Sequence, residues 1–442
     1  MRTARQPTGD SPDPERELNF ARRKGDVIGD QTVALGGLAG FSAAWAMTAH
    51  TPFLSPGIHL ILFVALTVAP MVLFSVFLVK THLRRTSGLV PEPGKINYAR
   101  VGIKLLGFLG TMGLLAFCYW LFPEYSKPRY APVWEASTLL FIPVTIATGF
   151  YFAWIDCRMQ EPEDAYWHCG MLFLGKWKSV NWEILREYGL GWFIKGFFLP
   201  FMLSGVVENA TGVLADGWNP TSFGFLYLTS ISIIYCVDTI FGAVGYLLTL
   251  RILDAQIRSP QPLGIGWVAT LICYPPWSQA MSSFLKYRGP VEWSDWLKNS
   301  PVIFITWGFA ILVLLSIYLW ATLSFGCRFS NLTNRGIIID GPYRFLKHPA
   351  YLTKNLAWWL MYVPFVSHVS LEDNLRACFM LAVLNGIYYV RAKTEERHLM
   401  ADPAYREYAT WMDKNGLFAT VLQSIPSALS PIQRRFNSAD SE

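Results

Sequence analysis

Runs of about 20 apolar residues recur along almost the whole chain, and they constrain its fold more than any other feature. A helix needs about 20 apolar residues to cross a hydrocarbon core about 30 Å thick. The sequence therefore predicts about ten transmembrane helices, the last two forming a hairpin near the C-terminus. The predicted spans are residues 32–50, 57–79, 101–122, 133–155, 189–213, 221–250, 263–282, 301–325, 350–367 and 374–391.

The composition supports this fold class. Of the 442 residues, 52% are hydrophobic and only 15% are charged, whereas a soluble domain typically carries about 25% charged residues. This excludes a soluble enzyme, a disordered regulator and a nucleic-acid binder with a basic surface. The seven cysteines form no C-x-x-C pair and no cluster with histidine at metal-ligand spacing, so we expect neither a disulfide scaffold nor a metal site. We expect an all-α polytopic membrane protein.

The Lys and Arg residues predict the orientation. Ten spans would place thirty of these residues on one side of the membrane and six on the other, with Lys195 inside a span. Because cytoplasmic loops carry an excess of Lys and Arg, both termini are expected in the cytoplasm. The compact loops and the lack of a recognised targeting signal favour a bacterial inner membrane.

The connections and termini divide the chain into four parts. Residues 1–31 mix charged residues with proline and are expected to be a disordered cytoplasmic leader. Residues 32–300 form a multi-span region whose sequence indicates no role. Residues 301–425 form a C-terminal module that contains the chemically informative motifs, and 426–442 are a polar tail.

Two polar segments flank the predicted C-terminal hairpin, which therefore brings them to the same side of the membrane. The first contains Gly-Pro-Tyr-Arg at 341–344 and Lys-His-Pro-Ala-Tyr at 347–351. Proline suits the first turn of a helix, and the backbone N–H groups of that turn can bind a carboxylate or phosphate. In the second segment, Arg391, Glu395 and His398 would share one face of a continuing helix.

Each of these residues also has a plainer interpretation. His348-Pro349 can simply start a helix, and Arg391 and Glu395 can form an ordinary surface pair on one helix. The tyrosines can be interfacial belt residues. Asp238 lies midway along the sixth predicted span, where ionisable groups are costly and often functional; a buried hydrogen bond or a pair with Lys195 is the structural alternative.

Together the two segments resemble the isoprenylcysteine carboxyl methyltransferase family, which also includes related membrane phospholipid methyltransferases. The resemblance rests on G-P-Y-R and K-H-P-x-Y, then a helical hairpin, R-x-x-x-E-E-x-x-L and a Y-x-x-Y pair, and it covers about a quarter of the chain. The matching residues are Gly341, Pro342, Tyr343, Arg344, Lys347, His348, Pro349, Tyr351, Arg391, Glu395, Glu396, Leu399, Tyr405 and Tyr408.

The resemblance implies S-adenosylmethionine as methyl donor, held where the hairpin and a tail helix meet at the cytoplasmic face. It places donor-binding residues at Tyr343, His348, Pro349, Tyr351, Glu395, Glu396, Tyr405 and Tyr408. Catalytic roles would fall to Arg391, as the residue that orients a donor or acceptor carboxylate, and to Glu396. A membrane lipid or a lipidated small molecule would be the acceptor.

Two departures from the family pattern concern that acceptor. Lys347 replaces the more usual Arg before His-Pro, and Leu352-Thr353-Lys354-Asn355 replaces a stretch expected to contain Gly. An anionic head group would suit the extra cation. Arg344, Lys354 and Asp238 are therefore the candidate acceptor-binding residues.

Two other functions remain open. Membrane sterol and steroid reductases have a similar architecture and hold NADPH in a tyrosine-rich C-terminal pocket. A transporter or lipid-binding protein with an inactive C-terminal module is the non-enzymatic alternative. Binding of S-adenosylhomocysteine or of NADPH distinguishes the three.

Overall fold

The structure is a computed structural model, and it describes residues 31–215, 222–285, 287, 292–366 and 370–424. The predicted leader, apart from its last residue, and the predicted polar tail lie outside these residues. Fifteen α-helices and one pair of very short strands are described.

The helices and strands follow one another in this order. The α-helices are α1 Gln31–His50, α2 Pro56–Leu73, α3 Tyr98–Leu121, α4 Ala131–Asp156, α5 Ala165–Phe173, α6 Trp182–Ala215, α7 Phe223–Leu247, α8 Gly264–Leu271, α9 Trp277–Leu285, α10 Trp293–Leu297, α11 Pro301–Leu323, α12 Pro349–Tyr362, α13 Leu371–Leu399, α14 Pro403–Asn415 and α15 Leu417–Ser424. A π-helical turn, Phe74–Leu78, extends α2. Single 3₁₀ turns are Thr81–Leu83, Arg85–Ser87, Pro123–Ser126, Pro128–Tyr130, Trp177–Ser179, Arg251–Leu253, Gly326–Arg328 and Gly341–Arg344, and the antiparallel strands are β1 Ser259–Pro260 and β2 Thr333–Asn334.

Among the described residues, seven helices are long and apolar enough to cross a membrane, which supports an all-α polytopic fold. They are α1, α2 with its π-helical turn, α3, α4 with the preceding 3₁₀ turn, α6 over 182–210, α7 and α11. These correspond to the first six predicted spans and to the eighth.

The other three predicted spans differ from continuous apolar helices. The predicted span 263–282 is divided into α8 and α9, because the Pro275-Pro276 pair supplies no backbone donors to continue the helix. Helix α12 has only 14 residues, and the 29-residue α13 carries charged residues at both of its ends. A count of ten spans is therefore not confirmed.

The connections that the Lys and Arg count placed on one side meet in space. Val90 N–H donates to the Arg158 carbonyl at 2.7 Å, and Gln256 donates to the Thr86 carbonyl at the same distance. At the opposite end of the helices, Arg129 pairs with Glu208 at 3.0 Å. The ends of α4 and α7 therefore lie beside the start of α3, and the last turns of α6 lie beside the start of α4.

The connection between α7 and α8 ties the upstream helices to the C-terminal module. Its β1 residues Ser259 and Pro260 pair with Asn334 and Thr333 of β2. The adjacent Arg335 is 3% exposed and donates to five backbone carbonyls, those of Gly245, Leu248, Ala255, Cys327 and Phe329. A buried guanidinium needs such compensation, so it fixes the loop that leads into the candidate site.

Candidate functional site

The two predicted motif segments are in direct contact. His348 is the N-cap of α12 and Pro349 its first residue, while α13 continues past the hairpin and carries the second segment on its last turns. His348 Nε2 lies 3.0 Å from Glu396 Oε1, and the Tyr351 hydroxyl donates to Glu395 Oε2 at 2.8 Å. Residues 44 to 48 positions apart therefore form one polar cluster.

Glu396 is the acidic centre of one half of this cluster. Burial alone would raise its pKa, but hydrogen bonds from His348 and Lys393 lower it to about 2. Lys393 Nζ lies 3.0 Å from the second carboxylate oxygen of Glu396. The carboxylate is therefore ionised at neutral pH and fixed on both of its oxygens.

Arg391 is the centre of the other half, and it is 5% exposed. Its guanidinium carbon lies 4.9 Å from the ring centroid of Tyr351, 5.6 Å from that of Tyr274 and 5.7 Å from that of Tyr388. Its guanidinium donates a hydrogen bond to Asn331 Oδ1. Within the described ranges no carboxylate lies within 4.0 Å of this guanidinium, so its charge is surrounded by neutral groups only.

Arg391 borders a partly enclosed recess. Its empty volume is about 380 Å³, including the side that is open to solvent. The predicted common face of Arg391, Glu395 and His398 is confirmed in position, because all three line this recess. The complete lining is Gln261, Thr270, Ser330, Asn331, Leu332, Thr333, Tyr351, Arg391, Thr394, Glu395, His398 and Leu399.

Comparison with known proteins finds a match for the part of the chain that contains this cluster. Residues 303–401 match the isoprenylcysteine carboxyl methyltransferase (ICMT) family. We call this range the ICMT segment. It contains both motif segments and ends before Tyr405 and Tyr408. No curated protein and no solved structure matches the chain.

Part of the recess comes from outside the ICMT segment. Ser259 Oγ lies 2.9 Å from His398 Nε2, and the Gln261 amide donates to the Thr394 carbonyl at 2.9 Å. Burial lowers the pKa of His398. No local motif in the sequence marks Ser259, Gln261 or Tyr274. The packing of the α7–α8 connection brings Ser259 and Gln261 to the recess, and the segment between α8 and α9 brings Tyr274 to Arg391.

Tyr343, Tyr405 and Tyr408 lie beside the recess rather than in it. Tyr405 and Tyr408 pack in a hydrophobic cluster that α14 forms with Ile337 and Ile339. The Tyr408 hydroxyl donates to the Tyr343 carbonyl at 2.7 Å. Burial raises the pKa of all three tyrosines, and these contacts position the loop before His348.

The three candidate acceptor-binding residues do not meet in one place. Arg344 is exposed. The Lys354 ammonium lies 5.0 Å from the ring of Tyr318, whose hydroxyl donates to Asp238 at 2.6 Å. Lys354 and Asp238 thus contact the same tyrosine, while Arg344 lies apart.

The alternative pairing of Asp238 with Lys195 is wrong. Asp238 accepts hydrogen bonds from Tyr318 and from Thr322, the latter at 2.7 Å. Lys195 instead donates to Thr249 Oγ1 at 3.3 Å. The structure therefore agrees with the other alternative, in which Asp238 makes buried hydrogen bonds.

Proposed function

We propose that this protein is an integral-membrane methyltransferase that uses S-adenosylmethionine to methylate a lipophilic acceptor at the cytoplasmic face. One observation carries the proposal. Within the ICMT segment, His348 contacts Glu396 and Tyr351 contacts Glu395, so the two motif segments form a single charged cluster at the edge of a recess.

The donor's amino-acid end fits the charges of the recess. Arg391 and Glu395, one helical turn apart, both line it, and together they complement a carboxylate and an ammonium. Arg391 has no carboxylate partner among the described residues, so a ligand carboxylate would compensate its buried charge. The ionised Glu396 and the backbone N–H groups of Ala350 and Tyr351, in the first turn of α12, would bind the ribose side of the donor.

The chemistry requires positioning rather than an acid or base. S-adenosylmethionine, when bound, supplies a methyl group on a positively charged sulfur. Tyr351, Tyr388 and Tyr274 form an aromatic wall around Arg391 that limits access of water. A carboxylate acceptor is already nucleophilic and needs no general base, and holding two reactants in line contributes most of the rate enhancement.

The acceptor would enter from the bilayer beside α12. Lys354 is the cation nearest to that path on α12, and its contact with Tyr318 links it to Asp238. A lipid with an anionic head group, or a lipidated molecule with a free carboxylate, fits a cation at this depth. The excess of Lys and Arg on the side that contains the recess supports a reaction at the cytoplasmic face, and we propose a bacterial inner membrane.

Calorimetric titration of the detergent-purified protein with S-adenosylhomocysteine, and separately with NADPH, tests this proposal. The wild type should bind S-adenosylhomocysteine alone, and His348→Ala and Glu396→Ala should weaken that binding by about tenfold or more. Glu372→Ala, at the exposed opposite end of α13, is the matched control and should bind as the wild type does.

The other possible results of these titrations would support the two alternative functions. Binding of NADPH alone would support a membrane sterol or steroid reductase. If neither molecule bound to the folded protein, a non-catalytic lipid-binding or transport protein would become the leading interpretation.

A further inference from the structure

Asn331 connects Arg391 to the upstream helices. Its amide oxygen accepts the hydrogen bond from Arg391, while its amide nitrogen donates to the hydroxyls of Tyr246 at 2.9 Å and Tyr274 at 3.3 Å. Its backbone N–H also donates to the Tyr246 hydroxyl, at 3.0 Å. Tyr246 lies on α7 and Tyr274 between α8 and α9, both outside the ICMT segment.

These contacts determine which way the amide faces. The Asn331 nitrogen can only donate, and both tyrosine oxygens can accept. A reversed amide would place that nitrogen against the guanidinium, which has donors only. The two tyrosines therefore hold the amide oxygen toward Arg391.

Tyr274 also contacts Arg391 directly. Its ring centroid lies 5.6 Å from the guanidinium carbon, within the range of a cation–π interaction. The upstream Tyr274 thus contacts the guanidinium together with Tyr351 and Tyr388 of the hairpin. A long side chain held at several points loses little entropy when it binds a ligand.

We propose that Asn331 and Tyr274 are positioning residues that aim Arg391 at the donor carboxylate, so that the upstream region completes the donor site rather than serving only as an anchor. This inference rests on the proposed function. Asn331 and Tyr274 would affect the binding of the amino-acid end of the donor and not that of its nucleoside. A general effect on the fold would weaken the binding of both ends.

Two ligands isolate that selectivity. S-adenosylhomocysteine carries the amino-acid end, whereas 5′-methylthioadenosine has the same nucleoside and thioether without it. Calorimetry should show that Asn331→Leu weakens S-adenosylhomocysteine binding by about tenfold or more, with methylthioadenosine binding changed by less than about twofold. Asn331→Asp should weaken it further, because a carboxylate would neutralise Arg391 in place of the ligand.

Tyr274→Phe keeps the ring and removes one oxygen, so it tests the hydroxyl with little risk to folding. We expect a loss of about threefold to tenfold for S-adenosylhomocysteine and none for methylthioadenosine. Tyr119→Phe is the matched control, since it removes a hydroxyl that donates to the Gly196 carbonyl at 2.8 Å, away from the site.

Four results would overturn the inference. Equal losses for both ligands would assign Asn331 and Tyr274 a structural role, and unchanged binding of both would show that Arg391 does not depend on them. If the wild type bound methylthioadenosine but gained no affinity from the amino-acid end, the inference would fail while donor binding stood. If the wild type bound neither nucleoside, the inference would fail together with the proposed function.

Discussion

Lys104 in the upstream region and Arg391 in the ICMT segment are both buried cations, but their surroundings are opposite. Lys104 is fully buried, and its ammonium lies 3.4 Å from Asp156 and 3.5 Å from Asp164. Arg391 is 5% exposed and is surrounded by one amide oxygen and three tyrosine rings. Lys104 thus has two carboxylate partners, whereas Arg391 has none among the described residues.

This difference indicates two roles for a buried cation, one that stabilises the fold and one that we propose for ligand binding. A buried charge with carboxylates around it joins the elements that carry them, here α3, α4 and the start of α5. A buried charge with neutral partners costs folding energy, and the cost is recovered when an anion binds. We therefore propose that, of these two cations, Lys104 serves the fold and Arg391 serves a ligand.

Lys104→Met should give the largest effect, a loss of stability. The substitution leaves the buried Asp156 and the half-buried Asp164 with one cation fewer, and breaking a buried pair costs about 3–5 kcal/mol. Thermal unfolding in detergent measures it. Lys127→Met removes a lysine that is 43% exposed, from its pair with Glu124, and should cost less than about 1 kcal/mol. Equal unfolding temperatures for the two variants would contradict this.

Arg391→Met should reduce ligand affinity rather than stability, in contrast to Lys104→Met. We expect S-adenosylhomocysteine affinity to fall by about ten- to a hundredfold, the range for a lost hydrogen bond to a charged group. Stability should stay the same or rise, because a buried charge without a carboxylate partner is removed. Calorimetry and thermal unfolding of one preparation measure both. A large loss of stability with unchanged affinity would make Arg391 structural like Lys104.

Glu396 should make the stability of the protein depend on pH. Since its pKa is lowered from 4.5 to about 2 in the folded protein, its ionised form stabilises the fold by up to about 3 kcal/mol. That contribution is present above pH 4.5 and is lost as the pH falls toward 2. Glu396→Gln should therefore lower stability at pH 6 but much less at pH 3. A difference from the wild type that does not change with pH would argue against this account.

Tyr408→Phe should give the smallest effect. The variant loses the hydrogen bond to the Tyr343 carbonyl, worth about 1 kcal/mol of stability. S-adenosylhomocysteine affinity should change by less than about twofold, because Tyr408 packs beside the recess rather than lining it. A tenfold loss of affinity with unchanged stability would instead support the donor-binding role that the family resemblance implies.

The sequence predicts the long apolar helices well, because their length and composition are local properties. Seven of the predicted spans correspond to described helices with these properties. It predicts the C-terminal hairpin region less well. The 14-residue α12 packs its indoles and tyrosines against other helices, so burial in protein rather than contact with lipid explains part of its apolar character.

The site likewise contains some residues that the sequence predicts and others that it does not. The common face of Arg391, Glu395 and His398 follows from helical spacing, and the meeting of His348 with Glu396 follows from the hairpin. Asn331 and Tyr274 do not follow from any local pattern. They contact Arg391 from 60 and 117 positions away in the chain, and only the packing of α7, α8 and α9 against the ICMT segment reveals them.

A structure of the protein with bound S-adenosylhomocysteine tests the central claim most directly. We predict that the carboxylate of the ligand lies within hydrogen-bonding distance of Arg391, its ammonium near Glu395, and its ribose on the side of His348 and Glu396. A ligand bound among α1–α6, with the recess beside Arg391 unchanged, would contradict the account.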